Sequence, residues 1–152
     1  MMPKVIIIFA SETGNTADIA SKIAEGVRQG GLDPVVKDAF DTDAEELLAY
    51  DGILLGSGTT GDGDLPYEAL DLYDGLDTLD LRGRLAATFG SGDTAYDLFC
   101  GAVDTLEKKL IEREAKIVLP SLKIDVTMSP DEETQALQMG KHFSELLLQE
   151  KD

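Results

Sequence analysis

Five short apolar runs mark out the chain, at residues 5–9, 34–37, 53–55, 85–89 and 117–119. The first, third and fourth are continuous rather than alternating, the pattern of strands buried on both faces, as in a parallel sheet. Between the runs, apolar residues recur at helical spacing. Ile19, Ala20, Ile23, Ala24 and Val27 make one face, and Phe99, Val103, Leu106 and Leu110 share another over about 98–114. Ala136, Gly140, Phe143 and Leu147, with Leu146 beside them, make a third near the C-terminus. Ser129 is a cap candidate for that last helix, followed by Pro130 at its first position and by Asp131, Glu132 and Glu133 in its first turn. Shorter helical segments are expected at 43–49 and 66–74.

Strand and helix alternate throughout, so the class is α/β. Right-handed crossovers on a five-stranded sheet leave few topologies. The expected one is a doubly wound parallel sheet in the order 2-1-3-4-5, as a single domain over residues 1–152. Such a sheet binds ligands beyond the carboxyl ends of its strands, at the switch point between strands 1 and 3.

The loops bear this out in their chemistry. After strand 1 comes Ser11-Glu12-Thr13-Gly14-Asn15-Thr16, rich in hydroxyls and free of Lys and Arg, and a helix follows. Helix-opening amides lack intrahelical partners and the helix dipole favours negative charge there, so this is a candidate anion site. Gly14 is followed by Asn15 rather than Lys-Ser/Thr, which excludes a nucleotide-hydrolysing P-loop. One glycine is too few for the dinucleotide fingerprint. What remains is a loop that holds one phosphate monoester by neutral donors, or an ordinary N-cap turn. After strand 3 comes Gly56-Ser57-Gly58-Thr59-Thr60-Gly61-Asp62-Gly63-Asp64-Leu65-Pro66, and after strand 4 Gly90-Ser91-Gly92-Asp93-Thr94-Ala95-Tyr96-Asp97. Glycines let backbone approach a flat ligand. The loops after strands 2 and 5 lack this chemistry.

Charge narrows the function. Thirty Asp and Glu against 13 Lys and Arg give a formal net charge of −17, the wrong sign for a nucleic-acid binder or an anionic membrane surface. It suits docking onto a basic partner. No apolar run approaches the length of a membrane span, no secretory leader is present, and the single cysteine fits a reducing compartment, so the expected location is cytoplasmic. Cys100 reads as an inert core thiol and His142 as a solvated residue. Asp62, Asp64, Glu68, Asp71 and Asp74 read as a solvated rim rather than a metal site. No nucleophile–base arrangement is legible, so hydrolase chemistry has no support. A receiver-type signalling domain of this topology would need acids at the end of strand 1 and an Asp after strand 3, where this chain has Ala10-Ser11 and Gly56-Ser57-Gly58.

Taken together, the three loops resemble the flavodoxin family over the whole chain. Residues 11–16 are similar to the family's S/T-x-T-G-N-T. Thr59 with residues 61–66 resembles its second loop, and residues 90–96 followed by Phe99-Cys100-Gly101-Ala102-Val103-Asp104 its third. Residues 117–128 lack the insertion of long-chain members, so the resemblance is to the short-chain group found in Bacillus-type bacteria. It implies non-covalent FMN and a low-potential one-electron carrier shuttling between semiquinone and hydroquinone, and not a catalyst in its own right. An FMN-dependent quinone reductase, a metalloenzyme activator of the same fold and an apo-scaffold are the alternatives.

By this resemblance, Ser11, Glu12, Thr13, Gly14, Asn15 and Thr16 hold the phosphate, and Asn15 and Thr59 also reach the ribityl chain. Residues 59–62 (Thr59, Thr60, Gly61 and Asp62) and 90–97, among them Ser91, Gly92 and Asp93, flank the ring, and Ser57 and Gly58 belong to the same cofactor-binding set. Tyr96 stacks on its outer face, and Asp93 and the Cys100 backbone, next to Phe99, meet the pyrimidine edge. The peptide after Gly61 reorients on reduction. The implied partners are redox proteins with basic docking patches: a reductase as donor, a cytochrome or biosynthetic enzyme as acceptor. The implied state is a monomer. One departure stands out: Thr60 occupies the position where the family usually carries a Trp or Tyr platform, and this chain has no Trp.

Overall fold

The apolar run at the N-terminus forms β1 (Val5–Ala10), the centre of a parallel sheet. In the computed structural model, residues 2–11, 14–61 and 63–151 are described. β1 pairs with β2 (Pro34–Asp38) on one side and β3 (Gly52–Gly58) on the other. β3 then pairs with β4 (Leu85–Gly92). Side chains along each strand alternate between two cores. Val5, Ile7, Leu54, Leu85, Ala87 and Phe89 face one layer. Ile6, Ile8, Ile53, Leu55 and Ala86 face the other. Burial on both sides explains why these strands read as unbroken apolar runs.

The sheet order is that expected, with one correction at the far edge. The fifth position is not one strand over 117–119. It is filled by β5 (Lys116–Ile117), paired with Leu85–Ala86, and β6 (Leu122–Asp125), paired with Phe89–Gly92. Between those pairings, four steps along β4 correspond to six along its neighbour, so two extra residues leave the ladder. Pro120 lies in the gap. It has no N–H to give and its ring disfavours strand geometry in the residue before it, so the edge breaks there.

Two helices cover each face. α1 (Asn15–Gln29) and α4 (Pro130–Lys151) pack on the Ile7 side. α2 (Tyr67–Gly75) and α3 (Gly101–Glu112) pack on the Ile6 side. α4 starts as the sequence suggests, with a capping box: Ser129 Oγ accepts from Glu132 N at 3.2 Å and Glu132 Oε1 from Ser129 N at 3.0 Å. The segment expected as a helix over 43–49 is a 3-10 helix, Ala44–Ala49. α3 is shorter than its apolar periodicity suggests, because Cys100 adopts φ 53 and stops the helix from extending back to Phe99.

The α1–α4 crossing is unusually close. A Cβ on Gly26 would stand 2.0 Å from the Leu137 carbonyl oxygen, and one on Gly140 would stand 2.1 Å from that of Ile23. The two backbones therefore touch through glycine, and Ser144 Oγ donates to the buried Val27 carbonyl at 2.9 Å beside them. Among the described residues, no helix is long and apolar enough to cross a membrane.

Candidate functional site

β1, β3 and β4 end at the same pole of the sheet and deliver their loops to one crevice of about 210 Å³. Ser11 and Asn15 line it from the first loop, Gly58, Thr59, Thr60 and Pro66 from the second, and Ser91, Gly92 and Asp93 from the third. This is the switch point, where adjacent crossovers run to opposite faces and leave a gap.

The first loop is shaped by its own side chains. Ser11 Oγ accepts from Gly14 N at 2.9 Å, and Gly14 takes φ 91 as the N-cap of α1. That left-handed turn suits glycine and sets the first α1 amides at the crevice. Glu12 and Thr13 lie outside the described residues. Thr16 is fully buried, and its hydroxyl lies 2.8 Å from Ser91 Oγ. The bond ties the first loop to the third. Gly58 sits beside it, where a Cβ would stand 3.4 Å from Thr16 Oγ1 and 3.7 Å from Ser91 Oγ. Thr16 thus braces the loops from behind rather than lining the crevice.

The second loop is a tight hairpin. Thr60 N donates to the Asp64 carbonyl at 2.8 Å and Asp64 N to the Thr60 carbonyl at 2.9 Å. Gly61 at φ 55 and Gly63 at φ 95 make the reversal, and Asp62 between them lies outside the described residues. Ser57 is buried and donates to the Gly58 carbonyl at 2.6 Å. Among the described residues, Thr59 Oγ1 is buried without a hydrogen-bond partner. An unsatisfied buried hydroxyl costs about 1–3 kcal/mol, so one at a crevice wall points to a bound group that completes it.

In the third loop, Asp93 Oδ1 accepts from Ala95 N at 2.8 Å, and Tyr96 is half-exposed at 50%. Phe99 is half-buried and Cys100 fully buried, neither lining the crevice. Gly92 lies against Cys100, with a Cβ there only 2.9 Å from Cys100 N. The Cys100 backbone therefore stands directly behind the crevice lining, while its thiol points toward the Ile124 carbonyl at 3.8 Å.

Burial pushes that thiol from an ordinary 9.0 to about 11. The neutral form is favoured in the fold, so its stabilising contribution is complete below pH 9.0 and lost as pH rises through about 11. Alkylation of Cys100 by iodoacetamide at about pH 8 is expected to be at least roughly a hundredfold slower in the native protein than after unfolding, since the thiolate is the nucleophile. Comparable rates in both states would show the thiol to be open.

One wall was not legible in the sequence. Val126 lines the crevice, although the loop after the fifth position of the sheet carries no glycine and no hydroxyl until Thr127. Val126 N donates to the Gly92 carbonyl at 2.8 Å, which holds this β-branched residue at φ 62. Asp125 Oδ2 accepts from Thr94 Oγ1 at 2.9 Å, fastening the third loop from the same side. No residue-type signal marks such a wall; only the β4–β6 pairing places it. Pro66 is the other lining residue that the sequence reading left unassigned.

The described lining contains no Lys or Arg and includes the Asp93 carboxylate. The arrangement therefore binds an anionic group by neutral donors and a helix N-terminus, beside a slot whose glycines expose backbone. A larger groove of about 570 Å³ runs along α1 past Lys22, Glu25, Arg28 and Glu133. It lacks convergent glycine loops and is walled by charged residues of both signs. No cluster of His, Cys, Asp or Glu that could hold a metal ion is found among the described residues.

The family model for flavodoxins matches residues 7–140. The chain is 42% identical over 144 residues to probable flavodoxin 2 of Bacillus subtilis, covering 94% of this chain and 95% of the relative. Among solved structures it superposes on oxidised flavodoxin 1 of Bacillus cereus with a TM-score of 0.89 at 45% identity, over 92% of this chain and 96% of the other. Flavodoxin 2 of Bacillus cereus matches with a TM-score of 0.86 at 44% identity, over 98% of this chain and 99% of the other. With a crevice walled by the three expected loops and full-length similarity in both sequence and structure, the chain belongs to the flavodoxin family.

Proposed function

We propose that this chain is a diffusible, monomeric electron carrier of the cytoplasm, that its crevice binds FMN, and that it passes single electrons at low potential between basic redox partners. Flavodoxins bind FMN and transfer electrons. The observation in this chain that supports the reading most is the buried, unpartnered Thr59 hydroxyl on the wall of a cation-free crevice at the N-terminus of α1. FMN, when bound, supplies the one-electron chemistry. Ser11, Asn15 and the first amides of α1 would hold its phosphate, with Glu12, Thr13 and Gly14 in the same turn. Thr59 would satisfy its hydroxyl on the ribityl chain. Gly58, Thr60, Gly61 and Asp62 would flank one side of the ring and Ser91, Gly92, Asp93 and Tyr96 the other. Thr16, Ser57, Phe99 and Cys100 would support the loops from behind.

The chain's own charge sets the direction of tuning. The crevice supplies no countercharge, and carboxylates such as Asp64 and Asp93 disfavour added negative charge nearby. A few such charges at a few tenths to one kcal/mol each lower a one-electron potential appreciably, since 59 mV corresponds to about 1.4 kcal/mol. The enzyme alternatives gain little from the site: the groove that adjoins the crevice at Asn15 is walled by Lys22, Glu25, Arg28 and Glu133, and among its described residues no nucleophile–base pair is formed.

The test is kinetic. The FMN-loaded chain, once reduced, should pass electrons to a basic acceptor with a rate constant that falls as ionic strength rises. It should show no NAD(P)H–quinone turnover alone. Rapid turnover without a partner would make it an enzyme.

Thr60 gives a sharper expectation about the site. Its backbone is locked by both bonds to Asp64, while its side chain is exposed on the crevice wall. Thr60→Trp is expected to tighten FMN binding by about 1 kcal/mol, the scale of one aromatic stack. Titration of apoprotein checks it. Unchanged affinity would mean that residue 60 does not meet the ring, and weaker affinity that the slot is already filled.

A further inference from the structure

Phe40 and Tyr67 are left in solvent at 62% and 72% exposure, with ring centroids 6.4 Å apart and planes tilted by 36°. Leu70, three residues further along α2, is 42% exposed. Large apolar side chains grouped at the surface mark interaction sites more often than single ones do. These are placed at the working pole of the molecule. Phe40 lies two residues past the carboxyl end of β2, and Tyr67 directly follows Pro66, a wall of the crevice. Both are held in place. Phe40 sits in a 3-10 turn capped by Asp38, whose Oδ1 accepts from Phe40 N at 2.9 Å, and Tyr67 is the first residue of α2.

Their electrostatic surroundings are one-sided. Residues 38–81 contain thirteen Asp and Glu and not one Lys or Arg. Lys37 reaches in to Glu46, and Lys109 to Asp77. Asp41, Asp43 and Asp71, each exposed and within four residues of one of the two rings, form no ion pair among the described residues.

We propose that Phe40 and Tyr67 are the apolar anchor of a docking surface for a basic redox protein, which would seat its own apolar centre on the two rings and its cationic rim on the surrounding acids. The proposal rests on the electron-carrier reading for the partner's class. A second copy of the chain is a poor occupant, because like acidic surfaces would face each other. Rigid aromatic rings at the centre and charges at the rim are the usual anatomy of a recognition surface: the rings hold the complex and the charges speed encounter.

The test uses cytochrome c, a lysine-rich haem protein, as probe, followed by amide chemical shifts and calorimetry at low ionic strength. Shift changes should centre on 38–43 and 64–71. Phe40→Ala with Tyr67→Ala should weaken the complex by about tenfold, while Ile111→Ala, an exposed apolar change on α3, leaves it unchanged. FMN affinity, titrated separately, should be the same in all three proteins. Loss of FMN binding in the unmutated chain would defeat the electron-carrier reading, and the cytochrome c titration would still report on docking. Undiminished affinity in the double variant, or shifts centred elsewhere, would overturn the anchor. So would concentration-dependent dimerisation of the unmutated chain that the double variant abolishes, which would give the surface to a second copy.

Discussion

Gly26→Ala and Gly140→Ala are each expected to destabilise the protein by about 3 kcal/mol or more, lowering the melting midpoint by roughly 10 °C. Each new methyl would stand about 2 Å from a carbonyl oxygen of the other helix, Leu137 in one case and Ile23 in the other. Backbone cannot rotate away as a side chain can, so α1 and α4 must separate, and a close-packed interior loses contacts along the whole crossing. Gly83→Ala is the control. It has φ +84 but nothing within 4 Å of the new methyl, so it should cost only the local backbone strain of about 1–2 kcal/mol. The double variant should lose less than the sum of its parts, since the first methyl already opens the gap the second needs. Urea unfolding of the four variants beside the unmutated chain decides it. Losses at 26 and 140 no larger than at 83 would contradict the crossing.

Ser11→Ala combined with Asn15→Ala is expected to weaken FMN binding by about a hundredfold and to leave riboflavin binding nearly unchanged. A hydrogen bond to a charged group contributes about 1.5–3 kcal/mol, and two are removed, with water partly replacing them. The loop has no cation to fall back on. Ser11 also accepts from Gly14 N, so its loss loosens the turn that presents the α1 amides. Parallel titrations with both flavins separate the effects. Equal weakening of the two would mean that these side chains act on the ring rather than the phosphate.

Much of this was legible because burial leaves a direct trace. Val5–Ala10 and Leu85–Gly92 are buried on both faces and so read as apolar runs, and the glycine loops after them show where backbone must approach something. What stayed hidden depends on long-range contact. Gly26 looks like a spacer on an apolar face until α4 is laid across it. Val126 becomes a crevice wall only through its bond to Gly92. Thr16 belongs to a hydroxyl-rich loop, yet its partner, Ser91, is 75 residues away. The apolar spacing at Phe99 suggests helix, but spacing carries no information about the left-handed turn at Cys100. The apolar run at 117–119 shows one strand, but nothing in its pattern says that the edge resumes at Leu122 beyond Pro120.

Residues 11–16 and the start of α1 are proposed to hold a phosphate beside a flavin slot. The most direct measurement is titration of the unmutated apoprotein with FMN and with riboflavin, followed by quenching of flavin fluorescence. The expected result is FMN tighter by at least about a hundredfold, because the phosphate alone meets the charge-assisted donors of the loop. Equal affinity for the two flavins, or no binding of either, would contradict it.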